Sequence, residues 1–143
     1  MNLAYLVTPF IAWLIAGSLK FTINSIRAKQ LAFGLIGYGG LPSNHSAIVS
    51  SMATLIALQE GIDHPAFGVA ITLAFIVVLD AGSLRRQVGI HAASINQIQA
   101  DRGVLNRALR ERMGHSRTEI LAGVLTGIAS ATTINYTQTA FTV

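Results

Sequence analysis

Two histidines, two carboxylates and several fixed cations stand beside the ends of apolar runs in this 143-residue chain. His45 lies in the stretch Gly39-Gly40-Leu41-Pro42-Ser43-Asn44-His45-Ser46-Ala47, where two glycines and a proline make a turn and an apolar run then begins. A glycine-rich turn feeding a helix start offers unpaired N–H groups and a positive dipole end, which suit an oxyanion or a phosphate. A histidine held there can trade a proton with the bound anion near neutral pH. Ser43 and Ser46 are both candidates for the N-cap of that helix. His115 and Glu119 are four residues apart, so on a helix they share a face and the carboxylate can orient the imidazole. Lys20, Arg27, Asp80, Arg85 and Arg86 fall beside the same kind of boundary. Cations and backbone donors together would hold a phosphate dianion and stabilise its transition state. One histidine could attack phosphorus while the other protonates the leaving oxygen. No dense carboxylate or histidine cluster suggests a metal site, so no metal and no cofactor is expected.

Each of these residues also has a plainer role open to it. Lys20 and Arg27 can be snorkelling anchors, and Arg85 and Arg86 stop-transfer charges. Glu119 can close a capping arrangement with Ser116 or Thr118, and Asp80 can simply pair with a neighbouring arginine. His64 reads as an ordinary turn histidine and His91 as a residue of the basic loop.

The elements that must position these groups follow from composition. Only 11% of residues are charged, 52% are hydrophobic and the mean hydropathy is +0.55, whereas soluble domains carry about 25% charged residues. So few charges cannot cover a soluble surface, and the expectation is an all-α integral membrane protein. The absence of cysteine excludes disulfides and thiolate metal sites. Apolar runs predict four transmembrane helices at about 2–19, 45–59, 66–82 and 118–137 in a single membrane domain, 1–143, with a cytoplasmic loop at about 84–117. A signal peptide is the rival for the first run, but Lys20 ends that run instead of preceding it. Pro9 predicts a kink there, and Leu31–Ile36 is an apolar patch too short to span. Within the loop, Ile95, Ile98, Leu105 and Leu109 recur at helical spacing with Arg102, Arg107, Arg110 and Arg112 elsewhere, which predicts a basic amphipathic helix. With four spans, all ten Lys and Arg residues fall on one side and Glu60 and Asp63 on the other. By the positive-inside rule the basic side is cytoplasmic, so the site would face the cytoplasm from a bacterial inner (plasma) membrane.

Three stretches in order resemble a known family. The turn Gly39 to Ala47, then Leu79-Asp80-Ala81 with Arg85-Arg86, then Gly114-His115-x3-Glu119-x3-Gly123 look like the divergent branch of the type 2 phosphatidic acid phosphatases, relatives of the vanadium haloperoxidases. The resemblance covers nearly the whole chain. In the wider superfamily the first motif is Lys-x6-Arg-Pro, and Lys20-x6-Arg27 matches with Ala28 in place of proline. The second, Pro-Ser-Gly-His, is matched by Pro42-Ser43-Asn44-His45 with asparagine for glycine. The end of the third, Ser-Arg-x5-His-x3-Asp, is matched by His115-x3-Glu119. The arginine of that motif is displaced: Arg85 and Arg86 stand about thirty residues before His115 instead of six.

The resemblance implies His115 as the nucleophile of a phosphohistidine intermediate, Glu119 as its orienting partner and His45 as general acid. It implies Lys20, Arg27, Ser43 and one of Arg85 and Arg86 as phosphate ligands. Of the two, Arg86 is preferred, on its place in the Arg-Arg pair. The function expected is a metal-independent phosphatase acting on a lipid phosphate monoester or diphosphate in the bilayer, with no role for nucleic acid. A non-catalytic protein binding anionic headgroups or a partner through its basic loop is the alternative, and the two histidines discriminate, since headgroup binding needs only cations. A transporter fits less well, because no inverted repeat supplies a pathway unless the protein forms a homo-oligomer.

Overall fold

The computed structural model describes residues 3–31, 33, 40–104 and 107–141, and none of these lies in a β-strand. Most of the Leu31–Ile36 patch, Gly39 and Leu105 are outside the described residues. Five helices follow one another: α1 (Ala4–Ala28), α2 (Asn44–Gln59), α3 (Pro65–Gly82), α4 (Leu84–Asp101) and α5 (Arg117–Phe141). α1 carries Pro9 inside it, continues well past Lys20, and ends at Lys29 in a left-handed conformation, φ 52°. The polar stretch after Lys20, expected outside the first span, is therefore the last two turns of the same helix. α3 starts on an N-cap that the sequence leaves as a turn residue. His64 Nδ1 accepts from Ala66 N at 3.2 Å, and Pro65 takes the first helical position, where its missing N–H costs nothing.

α2 lies at the centre, packed against α1, α3 and α5, while α1 and α5 also touch. The two ends of the bundle are marked by polar contacts. At one, Tyr5 Oη donates to Glu60 Oε1 at 2.6 Å and Gln59 Nε2 donates to Asn135 and Gln138. At the other, Ser43 N donates to the carbonyl of Glu119 at 2.9 Å and His115 N to the carbonyl of Ala81 at 2.9 Å. Sequential bundle helices therefore run in alternating directions.

The packing inverts the usual distribution of side chains. The core is built of Ala4, Ala12, Ala16, Ala47, Ala53, Ala131 and the hydroxyl residues Thr8, Ser46, Ser51 and Ser130, with Leu55 the largest fully buried side chain. Large apolar side chains point outward instead, as at Phe10 (62% exposed), Phe75 (64%) and Val69 (71%). In water that arrangement would leave most apolar area unburied, whereas between lipid tails only close contact of small residues brings helices together. α5 meets α2 most closely at Gly123 and Gly127, one turn apart. A Cβ at Gly123 would lie 2.9 Å from Ser46 Cβ, and one at Gly127 would lie 2.9 Å from Ser51 N and collide with the carbonyl of Ala47. Two segments, α1 and the nearly continuous run Pro65–Asp101, are long and apolar enough to cross a membrane.

α3 passes into α4 across one irregular residue, Ser83, whose hydroxyl donates to the carbonyl of Leu79 at 2.6 Å. Among the helices α4 packs only against α3, so it leaves the bundle. The amphipathic helix expected through Leu109 stops at Asp101. Gly103, φ 66°, turns the chain, and residues 107–116 run back along α4 without helical structure. Leu109 and Ile95 fit one helical phase by count alone. The glycine turn separates them, and Leu109 belongs to the returning strap.

Candidate active site

Ser43, His45, Asp80, Arg85, His115 and Glu119 lie where α2 and α5 begin and α3 passes into α4, whereas Arg27 and the Arg86 side chain stand apart. Ser43 caps α2: its hydroxyl oxygen accepts from Ser46 N at 3.4 Å and from Ser46 Oγ at 3.0 Å. Ser43 is fully buried, so it lies beneath this end of the bundle and holds the turn. Its backbone N–H bonds to Glu119, which ties the turn to the first turn of α5. Before it, Gly40 has φ 137°, and a Cβ there would meet the Asn24 side chain of α1 at 3.4 Å. That position needs glycine for its backbone, since the Asn24 contact is an ordinary one. His45, one residue into α2, is left exposed at the surface of this end.

His115 and Glu119 form a close pair, Nδ1 to Oε2 2.9 Å, with the histidine side chain 9% exposed. The same oxygen accepts from Ser116 N at 3.1 Å, and Glu119 N donates to Ser116 Oγ at 3.3 Å. These reciprocal bonds are a capping box at the start of α5. The plain role and the functional one are therefore filled by one carboxylate. With Nδ1 engaged, the imidazole presents Nε2 as its reactive nitrogen.

Arg85 Nη2 lies 3.5 Å from His45 Nε2, and Arg85 Nε lies 3.4 Å from Asp80 Oδ2. Asp80 thus holds the guanidinium that meets His45. Arg85 is half-buried and Arg86 exposed. What Arg86 contributes is its backbone, 3.1 Å from where a Cβ of Gly114 would sit. The structure brings Arg85 to His45 and does not bring Arg86 there. Lys20, Arg85, His115 and Asp80 all lie near enough for their charges to act on His45, and Glu119 acts in the same way on Lys20. Arg27 is exposed two turns further along α1, about 10 Å away by helical rise, and does not join this cluster. Among the described residues no group of three or more His, Cys, Asp or Glu gathers as metal ligands.

Sequence reasoning missed the groups that place His115. Its backbone N–H bonds to Ala81, and the strap before it is laid against α4. The available signal was Gly89, a lone glycine within a helix, which marks a close approach. A Cβ there would run into the carbonyl of Glu111 and lie 3.4 Å from Met113 N.

Comparison with known proteins identifies the family of the chain. Residues 1–130 match the family described as the Divergent PAP2 family. A protein of Bacillus subtilis (strain 168), described as the uncharacterized membrane protein YuiD, is 32% identical over 147 aligned residues, spanning 92% of this chain and 93% of its own. No solved structure matches significantly. The chain belongs to the Divergent PAP2 family.

Proposed function

We propose that this Divergent PAP2 protein is a lipid phosphatase working through a phosphohistidine. The observation that carries the proposal is the His115–Glu119 pair, 2.9 Å apart, at the same end of the bundle as the Arg85–His45 contact. His115 Nε2 attacks phosphorus, and the bond from phosphorus to the leaving oxygen breaks as His45 gives that oxygen its proton. Water then attacks the phosphohistidine, His45 takes the water's proton, and the P–N bond breaks to release phosphate and His115. Arg85 and Lys20 neutralise the charge that builds on the phosphoryl oxygens. The positive dipole end of α2, whose start Ser43 caps, adds to this neutralisation. Arg27 stands further out, at a distance that suits a second phosphate or a headgroup.

In this proposal the bundle helices α1, α2, α3 and α5 are the four spans of one membrane domain. All ten Lys and Arg residues fall at the site end or on the projection beyond it, and that one-sided charge supports a site on the cytoplasmic face, in a bacterial inner membrane on this reading. A site at headgroup depth suits a substrate that diffuses in the bilayer. Phosphatidate, phosphatidylglycerophosphate and polyprenyl diphosphates all present the required phosphate. The second reading, headgroup binding without turnover, is favoured by the exposed Arg102, Arg107, Arg110 and Arg112 beyond the bundle.

The deciding experiment is phosphate release from a panel of lipid phosphates by purified protein in detergent with EDTA, beside His115→Ala. Release by the wild type, an acid-labile phosphoenzyme, and loss of both in the variant are expected. Wild-type turnover in His115→Ala would overturn the mechanism, and headgroup binding without release would leave the second reading.

A further inference from the structure

Residues 107–116 have no helix or strand of their own, so whatever orders them must come from the helix they lie against. Contacts at Asn96, Gly89 and Arg86 on α4, and lastly at Ala81 on α3, do this, stepping toward the bundle. At the far end the Asn96 side chain pairs with the backbone of Leu109 on both sides, its Nδ2 donating to Leu109 O at 2.8 Å and its Oδ1 accepting from Leu109 N at 2.7 Å. The same Nδ2 donates to Glu111 Oε1 at 2.8 Å. Next, Gly89 lets the backbone of Glu111 to Met113 touch the helix. Gly114, φ 86°, then turns against the backbone of Arg86. Last, His115 N bonds to Ala81 O. A carboxamide that satisfies one residue's N–H and C=O together fixes the register of the strap, since a shift by one residue breaks both bonds.

We propose that Asn96 is a remote positioning residue for His115, its carboxamide clasping the strap at Leu109 and so fixing where the chain delivers the imidazole to Glu119. Asn96 lies twelve residues beyond Leu84, the start of α4, about 18 Å by helical rise, so Asn96 touches neither the site nor the bundle core. Its kinetic consequence rests on the phosphatase reading, whereas its structural consequence does not.

Asn96→Ala and, as a second and independent disturbance of the same strap, Gly89→Ala are compared with Gln97→Ala, an exposed neighbour on α4. Full-length protein in detergent is read in three ways: amide hydrogen exchange of residues 107–116, the imidazole signals of His115 by nuclear magnetic resonance, and kcat and KM for a lipid phosphate. Alanine at 96 favours helix, and α4 lies outside the bundle, so thermal unfolding should match that of Gln97→Ala. Expected for both strap variants are exchange at His115 faster by about 10–100-fold, a changed His115 imidazole signal, and kcat lower by about 10–100-fold with KM within about threefold. Unchanged exchange and imidazole signals in Asn96→Ala overturn the clasp whatever the activity. A released strap with unchanged kcat overturns the positioning role. If the wild type releases no phosphate, yet Asn96→Ala still shifts the His115 signals, the phosphatase reading fails and the clasp stands.

Discussion

Glu119 reaches back to His115 with the same carboxylate oxygen that caps its own helix, 2.9 Å from Nδ1 and 3.1 Å from Ser116 N. Orientation of the imidazole and the start of α5 are therefore coupled, and substitution can separate them. Glu119→Gln keeps an oxygen for Ser116 N but loses the charge that fixes the imidazole. It should leave thermal stability within about 0.5 kcal/mol and cut turnover by about 10²–10⁴-fold. Glu119→Ala should lose turnover and also about 1 kcal/mol of stability with the cap. Full turnover in Glu119→Gln, measured beside its unfolding curve, would remove the orienting role.

His45 and His115 should fail differently. His45→Ala should slow release by about 10²–10⁴-fold for a lipid leaving group and much less for a substrate such as p-nitrophenyl phosphate, whose leaving oxygen needs little protonation. The dependence of rate on leaving-group pKa is the measurement. An equal loss with every leaving group would contradict proton donation by His45.

Arg85 and Arg86 should be equally distinct. Arg85 is aimed at His45 by Asp80, and a lysine cannot reproduce the planar two-nitrogen contact to a phosphate. Arg85→Lys should cost about 10–10²-fold in kcat/KM, the scale of charge-assisted hydrogen bonds worth about 1.5–3 kcal/mol. Arg86→Lys should be close to silent. Matching, mild losses from the two would mean that neither meets the phosphate.

The close crossing of α2 and α5 gives a stability test. Gly127→Ala places a methyl group against Ala47 O and Ser51 N, and overpacking of this kind costs about 1–3 kcal/mol. Gly68→Ala has nothing within 4 Å of its new methyl and should match the wild type or slightly exceed it. Thermal scans of both variants in one detergent decide the matter.

Topology can be read from the cysteine-free chain. Asp63→Cys and Arg102→Cys, introduced singly, should label from opposite faces of sealed vesicles, the latter from the cytoplasm. Labelling from one face would dismantle the four-span arrangement.

Much of this architecture was readable beforehand, and the unreadable part has one physical cause. The apolar runs placed α2, α3 and α5 to within a few residues, because a helix start is announced locally by Ser43, Pro65 and Ser116. The His115–Glu119 contact is also local, four residues along one helix turn. The strap was not legible: helical phase counted through Gly103 cannot register that the chain reverses there. Nor could phase choose between Arg85 and Arg86, since the irregular residue Ser83 resets it. Asn96 pairs with the backbone of a residue thirteen positions on, and a contact to backbone leaves no trace in the partner's side-chain type.

The hydrogen bond from His115 N to Ala81 O closes a detour: the chain leaves the bundle after residue 81 and re-enters it at residue 115 beside the point of departure. The length of such an excursion is free to drift in descent, because residues added or lost at its far tip, beyond Asn96, do not change where its two ends meet. The wide gap between Arg85 and His115 in sequence is then no measure of their separation in space. A pattern that demands a fixed interval between arginine and histidine would pass over this chain, although the two ends of the excursion are hydrogen-bonded to each other.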